Sequence, residues 1–303
     1  MKRLEFHITY ICNHACIFCS EDDRMQKYHD SPLTEIQVRT ILVDRAKKGY
    51  NHVNFTGGEP SLFPNFLKLL AFAKKLGYKI YVGTNGTLFA NEDFAQKALE
   101  CIDELSFSIH WFDQQSCEQQ TGHKKHFDIF TKKVVPNIVK YQQGNFFFSN
   151  IVLDAHNFMD WKKIINFIKD SWYPIRQALI SNIAPEWLAE HNFWKLAFDV
   201  YEFQKTIPEI VEYCDTHNII LRFFGLPTCI LWETYQDYAN DMHWEERHTI
   251  ERFTNSQGNI VLQDIYSPDN SRKRTFVEKC EWCQWREKPC TGVFKKYLDY
   301  FEF

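Results

Sequence analysis

Strand-like segments alternate with amphipathic helical ones through the first three quarters of this 303-residue chain. That alternation narrows the fold more than any other feature. The strand-like runs are LEFHITYI, HVNFTG, KIYVGTNG, ELSFSIHW, NFFFSNIVLD, IRQALISNIAP and IILRFFG. Between them lie PLTEIQVRTILVDRAKKGY, with Thr34 as its cap, then FPNFLKLLAFAKKLG, NEDFAQKALECI, HFDIFTKKVVPNIVKYQQG, MDWKKIINFIKDSW and a Trp- and Phe-rich helical stretch over 193–217. Repeated strand–helix units bury their strands by running parallel with the helices outside. The expectation is an α/β protein, a partial (β/α)6-type TIM barrel, with its chemistry at the C-terminal ends of the strands. From residue 226 the alternation stops: GLPTCILWETYQDYANDMHW is irregular, GNIVLQDIY reads as a strand, and the remainder is rich in Cys, Pro and charge. The expected organisation is a barrel over 1–225 and a small Cys-rich region over 226–303.

Every chemically suggestive motif falls just past a strand. Cys12, Cys16 and Cys19 form a CxxxCxxC array after the first, with Phe18 before the last thiol. Gly57, Gly58, Glu59 and Pro60 follow the second, Thr84 and Asn85 end the third, Ser108 sits on the fourth and Asn157 follows the fifth. Three thiolates in eight residues suit zinc or an iron–sulfur cluster. Structural zinc takes four protein ligands, and His14 inside the array is the obvious candidate for the fourth.

Ten cysteines sit at 12, 16, 19, 101, 117, 214, 229, 280, 283 and 290. With no secretory leader, their clustering reads as ligation and not as a disulfide framework. Cys280, Cys283 and Cys290 form a second group, with Cys229 as a candidate fourth ligand. Cys101 and Cys214 fall on apolar helical faces and read as core. Cys117 falls in a polar stretch, HWFDQQSCEQQTGHKK, read as a loop at the barrel mouth, where a thiol could return a hydrogen atom to a substrate radical. His110, His123 and His126 nearby are candidate substrate contacts or solvated loop residues. The run Arg272, Lys273, Arg274 could steer an anion or simply be a solvated face.

The CxxxCxxC array with its aromatic neighbour, followed by GGEP after the second strand, resembles the radical S-adenosylmethionine (SAM) superfamily. The resemblance covers about 1–225. It implies a [4Fe–4S] cluster on Cys12, Cys16 and Cys19, with SAM filling the open iron through its amino and carboxylate groups. Reductive cleavage to methionine and a 5′-deoxyadenosyl radical would follow. It also implies that Gly57 and Gly58 let backbone approach the methionine moiety and that Glu59 accepts from its ammonium group. Pro60 would then fix the turn, Phe18 pack near the adenine, and Ser108, Thr84, Asn85 and Asn157 complete the SAM contacts. The C-terminal cysteines resemble the SPASM or twitch auxiliary-cluster extensions. They lack the seven-cysteine SPASM set, so at most one extra [4Fe–4S] cluster is implied, with zinc as the rival. An external reductant such as flavodoxin or ferredoxin would supply electrons.

Composition limits the rest. With 35 basic and 39 acidic residues and a net charge of −4, the chain offers no global attraction to nucleic acid. No apolar run has membrane length, so the expected location is cytoplasmic. The leading expectation is an enzyme that abstracts hydrogen from a natural-product-type substrate, a small molecule or short peptide, in epimerisation, dehydrogenation or cross-linking. An RNA-modifying enzyme, or an activase that installs a radical on a partner protein, is the alternative.

Overall fold

The computed structural model describes residues 2–171, 175–185, 188–239, 246–266, 274–286, 290 and 292–303. Strands β1 (Lys2–Thr9), β2 (His52–Gly57), β3 (Lys79–Thr84), β4 (Glu104–Ser108), β5 (Phe146–Leu153), β6 (Gln177–Asn182) and β7 (Ile220–Phe224) pair in parallel, each with the next in the chain. The connections carry helices α1 (Asp22–Tyr28), α2 (Glu35–Lys47), α3 (Phe66–Lys75), α4 (Glu92–Leu99), α5 (Gln114–Thr121), α6 (His126–Ile129), α7 (Val135–Tyr141) and α8 (Trp161–Ser171). After β6 come the short helices α9 (Leu188–His191), α10 (Phe193–Leu196) and α11 (Val200–Gln204), then α12 (Ile207–Thr216). The result is the partial barrel expected of repeated strand–helix units.

Local chemistry sets the helix starts. Thr34 and Gln37 form a reciprocal capping box at α2, and the Asn91 side chain accepts from Phe94 N–H at 2.9 Å to open α4. The stretch 193–217 is three helices, because Asp199 starts a new one by accepting from Tyr201 N–H and Pro208 sits in the first turn of α12. The helix over 126–141 is interrupted by a π turn at Phe130–Val134.

The strands are buried on both faces, and the two faces differ. In β1, Leu4, Phe6 and Ile8 face the helices, while Arg3, Glu5 and His7 line the interior. Val53 and Phe55 against Asn54 and Thr56 repeat the pattern in β2, and Leu105 and Phe107 against Ser106 and Ser108 repeat it in β4. The apolar core therefore lies between sheet and helices. The barrel interior carries the polar residues of β1, β2 and β4 alongside apolar ones such as Val152, Leu179 and Phe224.

Residues after 226 also enter this sheet. Strand β8 (Glu246–Thr254) runs parallel to β1 on its free side, and β9 (Ile260–Tyr266) is antiparallel to β8. The nine-stranded order is β7-β6-β5-β4-β3-β2-β1-β8-β9. A separate two-stranded ribbon pairs β10 (Arg274–Thr275) with β11 (Val293–Phe294). Sequence reading found β9 but not β8, whose ERHTIERFT is too charged to stand out as a strand. Arg272 and Lys273 of the basic run lie outside the described residues. Among the described residues, no helix is long and apolar enough to cross a membrane.

Candidate functional site

At the end of β1 the chain passes between two clamps. Gly58 N–H donates to Thr9 O and Glu59 N–H to Ile11 O, each at 2.8 Å, tying it to the end of β2. On the other side Ala15 N–H donates to Thr121 O at 2.8 Å and Ile17 N–H to Gln120 O at 3.2 Å, at the C-terminus of α5. The three cysteines are thus held between two rigid elements. A Cβ on Gly57 would lie 2.1 Å from Thr9 O, and one on Gly58 2.5 Å from Ile11 O. This amends the expectation for both glycines: the backbone they admit closely is that of the cysteine segment itself.

Glu59 joins the second and third strand ends. Its buried carboxylate accepts from Ser61 N–H at 3.0 Å and from the Ser61 hydroxyl. Thr84 Oγ1 donates to it at 2.7 Å and Asn85 N–H at 2.8 Å. Burial holds the carboxyl above its usual range, although these donors offset part of the rise. Asn85 Nδ2 donates in turn to Asn13 Oδ1 at 2.8 Å, and Thr87 N–H donates to Asn85 Oδ1 at 2.9 Å. The GGEP turn, the TN turn and the cysteine segment therefore form one hydrogen-bonded unit. Pro60 starts a short 3-10 turn beneath it and is buried.

This unit borders a cavity of about 540 Å³ inside the barrel, lined by Cys12, Cys16, Cys19, Phe18, Gly57, Gly58, Glu59, Thr84, Asn85 and Ser108 among others. Burial is the main cause that raises all three thiols, Cys12 to about 11, Cys19 to about 12 and Cys16 well above the usual range. They are therefore protonated until a cation displaces the protons. Backbone donors are already aimed at two sulfurs, His14 N–H at Cys12 Sγ and Glu21 N–H at Cys19 Sγ, both at 3.4 Å. Such N–H groups suit a sulfur that becomes a thiolate ligand. Among the described residues, no three His, Cys, Asp or Glu side chains converge on one point as single-ion ligands would. The thiols border an open space instead.

Two histidines, His14 and His110, line the cavity beside the cysteines. His14 rests against His126 and His123, with ring centroids at 4.2 and 5.2 Å, and Phe18 meets His110 edge-on at 4.7 Å. Burial first, then neighbouring imidazoles, lowers His14 to about 4, His110 to about 3 and His126 to about 2. All three are neutral at physiological pH. His110 Nδ1 accepts from Val152 N–H at 2.9 Å, so its Nε2 carries the proton.

Two expectations for this site fail on geometry. The stretch around Cys117 is not a loop but helix α5, started by a capping box between Asp113 and Ser116. Cys117 points into the apolar core, fully buried, and does not line the cavity; burial raises its thiol to about 12. Asn157 is also absent from the lining, because its polar atoms hold a turn. Its Nδ2 donates to His110 O and Val152 O at 3.0 Å each, and its Oδ1 accepts from Asp154 N–H at 2.8 Å. His126 is a core residue and His123 lies in the following turn.

A second cavity of about 250 Å³ is bordered by Cys229, Cys280, Cys283 and Cys290, with Lys279, Arg286 and Tyr201. Gly292 N–H donates to Cys290 Sγ at 3.4 Å. The four outlying cysteines thus share one pocket, Cys229 reaching it from the turn after β7.

Sequence reading missed the interior charges. Glu21 lies 3.4 Å from His7 and 3.2 Å from Arg24, and Arg24 reaches Glu251 of β8 at 2.7 Å. Glu5 stands 3.7 Å from His7. Burial depresses the His7 imidazole, but Glu21 and Glu5 outweigh it and lift it to about 10. For Glu5 and His7 the signal was present as polar residues at every second position of an otherwise apolar strand; for Glu21, Arg24 and Glu251 there was none.

A family profile of the radical SAM superfamily matches residues 6–168, just over half of the chain. A "Probable GTP 3′,8-cyclase" from Saccharolobus solfataricus is 24% identical over 249 residues, 79% of this chain and 76% of that protein. Another from Saccharolobus islandicus is 29% identical over 126 residues, 40% of this chain and 39% of its own length. Among solved structures, Streptococcus suis SuiB bound to S-adenosylmethionine superposes with a TM-score of 0.62 at 16% identity, over 86% of this chain and 59% of SuiB. Native anSMEcpe with bound AdoMet and a peptide superposes at 0.56 and 17% identity, over 72% of this chain and 62% of that one. The chain spans about three fifths of these structural neighbours, and at such identities they speak for the fold. The cysteine array, the GGEP turn locked to it, the partial barrel and the matching profile agree: this chain is an enzyme of the radical SAM superfamily.

Proposed function

We propose that the chain reductively cleaves SAM and abstracts hydrogen from a small molecule or short peptide held in the barrel interior. The observation that carries this reading is the single hydrogen-bonded unit made by the cysteine segment, Glu59, Thr84 and Asn85 on the cavity wall. Cys12, Cys16 and Cys19 would hold a [4Fe–4S] cluster, and Cys229, Cys280, Cys283 and Cys290 an auxiliary one. When bound, the first cluster and SAM supply reductive sulfonium cleavage and a hydrogen-abstracting radical. The chain's own contribution is positional. Glu59 fixes the GGEP turn, and Phe18 and His110 wall the cavity beside the cysteines. Cys117 and Asn157 have no part in this reading, since neither borders the cavity.

Two substrate classes have support of different kinds. The fold neighbours anSMEcpe and SuiB have been captured with peptides, while the 24% identity to a GTP 3′,8-cyclase favours a nucleotide. Anaerobically reconstituted protein should release 5′-deoxyadenosine and methionine from SAM under dithionite. Cys16→Ala should abolish that release. Undiminished 5′-deoxyadenosine from the variant rejects the assignment.

A further inference from the structure

Several polar groups of the cavity wall spend their hydrogen bonds on one another. Ser181 Oγ donates to Asn150 Oδ1 at 2.8 Å, and Thr84 Oγ1 to Glu59 at 2.7 Å. His110 is set differently. It lies two residues past Ser108, so it keeps the inward orientation of alternate β4 positions, and its ring lines the cavity while only 3% exposed. Ile109 N–H donates to Asn150 O at 3.1 Å, which carries the β4–β5 pairing up to this residue.

Backbone and ring are both held. Asn157 Nδ2 donates to His110 O and to Val152 O at 3.0 Å each, and Val152 N–H donates to His110 Nδ1 at 2.9 Å. The Phe18 ring stands edge-on to the imidazole at 4.7 Å. With Nδ1 as acceptor, the neutral ring carries its proton on Nε2. Nδ1 cannot take a second proton without setting two donors face to face. His110 is therefore an N–H donor and not a base. Among the described residues no acceptor lies within hydrogen-bond distance of its Nε2. The ring nitrogens of His126 are unpaired too, but they are sealed in the core, whereas His110 borders the cavity.

A buried donor without a partner costs stability until a ligand supplies the acceptor. Phe18 belongs to the segment between Cys16 and Cys19, so that acceptor belongs to a molecule lying beside the three thiols. An uncharged N–H next to an aromatic ring suits a flat, uncharged group bearing ring nitrogens and hydroxyl or ether oxygens. The adenosine half of SAM is such a group, whereas its methionine half presents an ammonium and a carboxylate. We propose that His110 Nε2–H donates to the adenosine group of SAM, at a ring nitrogen or a ribose oxygen. The contact orients the cofactor and takes no part in proton transfer. It deepens the function proposed above and rests on it for the presence of SAM.

The test is equilibrium dialysis of the reconstituted protein, with no reductant, against labelled SAM and labelled methionine. His110→Asn keeps an acceptor for Val152 N–H near the Nδ1 position but brings no donor to the Nε2 position, while His110→Gln carries an amide N–H out to about that point. Affinity for SAM should fall about fivefold in His110→Asn, roughly the weight of one neutral hydrogen bond, and recover in His110→Gln. Affinity for methionine should be the same in all three proteins, and circular dichroism confirms that the variants are folded. Equal SAM affinity in the wild type and His110→Asn overturns the contact. So does a loss that methionine shares to the same degree, or a wild type that binds no SAM. The dialysis is read without turnover. Release of 5′-deoxyadenosine by the wild type, with SAM binding undiminished in His110→Asn, sinks this contact alone. SAM binding that depends on His110, with no 5′-deoxyadenosine released on reduction, refutes the proposed function and leaves the contact standing.

Discussion

Glycine at position 57 is required by crowding and by backbone conformation together. Its φ is +124°, and an added Cβ would sit 2.1 Å from a backbone oxygen that has no flexible end to move aside. Gly57→Ala should therefore cost about 3 kcal/mol or more. Urea unfolding of the apoprotein measures this, and a loss within 0.5 kcal/mol, roughly the level of a neutral surface change, would contradict the packing described. The GGEP motif was legible as a site from its place after CxxxCxxC, but the reason for its glycines was not, because sequence does not show which backbone lies alongside. Asn157 is the converse case. A turn residue and a ligand contact look alike in sequence, and only its hydrogen bonds to His110 O, Val152 O and Asp154 N–H separate them.

Among the elements, β1, the segment after Cys19, α1 and β8 are joined by alternating buried charges. His7 is charged in the folded protein with its pKa near 10, against 6.5 ordinarily. A raised histidine contributes its full stability below about pH 6.5 and loses it as pH climbs through 10. The loss can reach about 1.4 kcal/mol per pH unit. Urea midpoints from pH 7 to 10 should fall more steeply for the wild type than for His7→Gln; parallel curves would mean that Glu5 and Glu21 do not hold the proton. Glu251→Gln removes a carboxylate from Arg24 and should cost about 2 kcal/mol, read as a lower urea midpoint at pH 7. Parallel strands and their helices were legible because their periods differ. Strand β8 and the α5 helix were not. One has charged residues where its neighbours are apolar, and the other, QQSCEQQT, has a polar composition that reads as a loop until its Asp113 cap is seen.

At the scale of the molecule, two thiol pockets lie in regions far apart in sequence, and the β10–β11 ribbon connects them. Gly292 N–H donates to Cys290 in the second pocket, and Gly292 O lies 3.4 Å from Arg274 of the first cavity. A Cβ on Gly292 would meet Thr275 O at 2.3 Å, so this crossing tolerates no side chain. If each pocket holds a four-iron cluster, the reconstituted protein carries about eight irons per chain. Replacing Cys12, Cys16 and Cys19 together with Ala removes one set of ligands and leaves the other pocket's four thiols untouched. The variant should keep about four irons per chain. Gly292→Ala should do the reverse, losing the second pocket's iron while the first cluster remains. Zinc without iron in the triple variant would make the second pocket a structural staple. Retention of that iron in Gly292→Ala would show that the ribbon does not shape the second pocket.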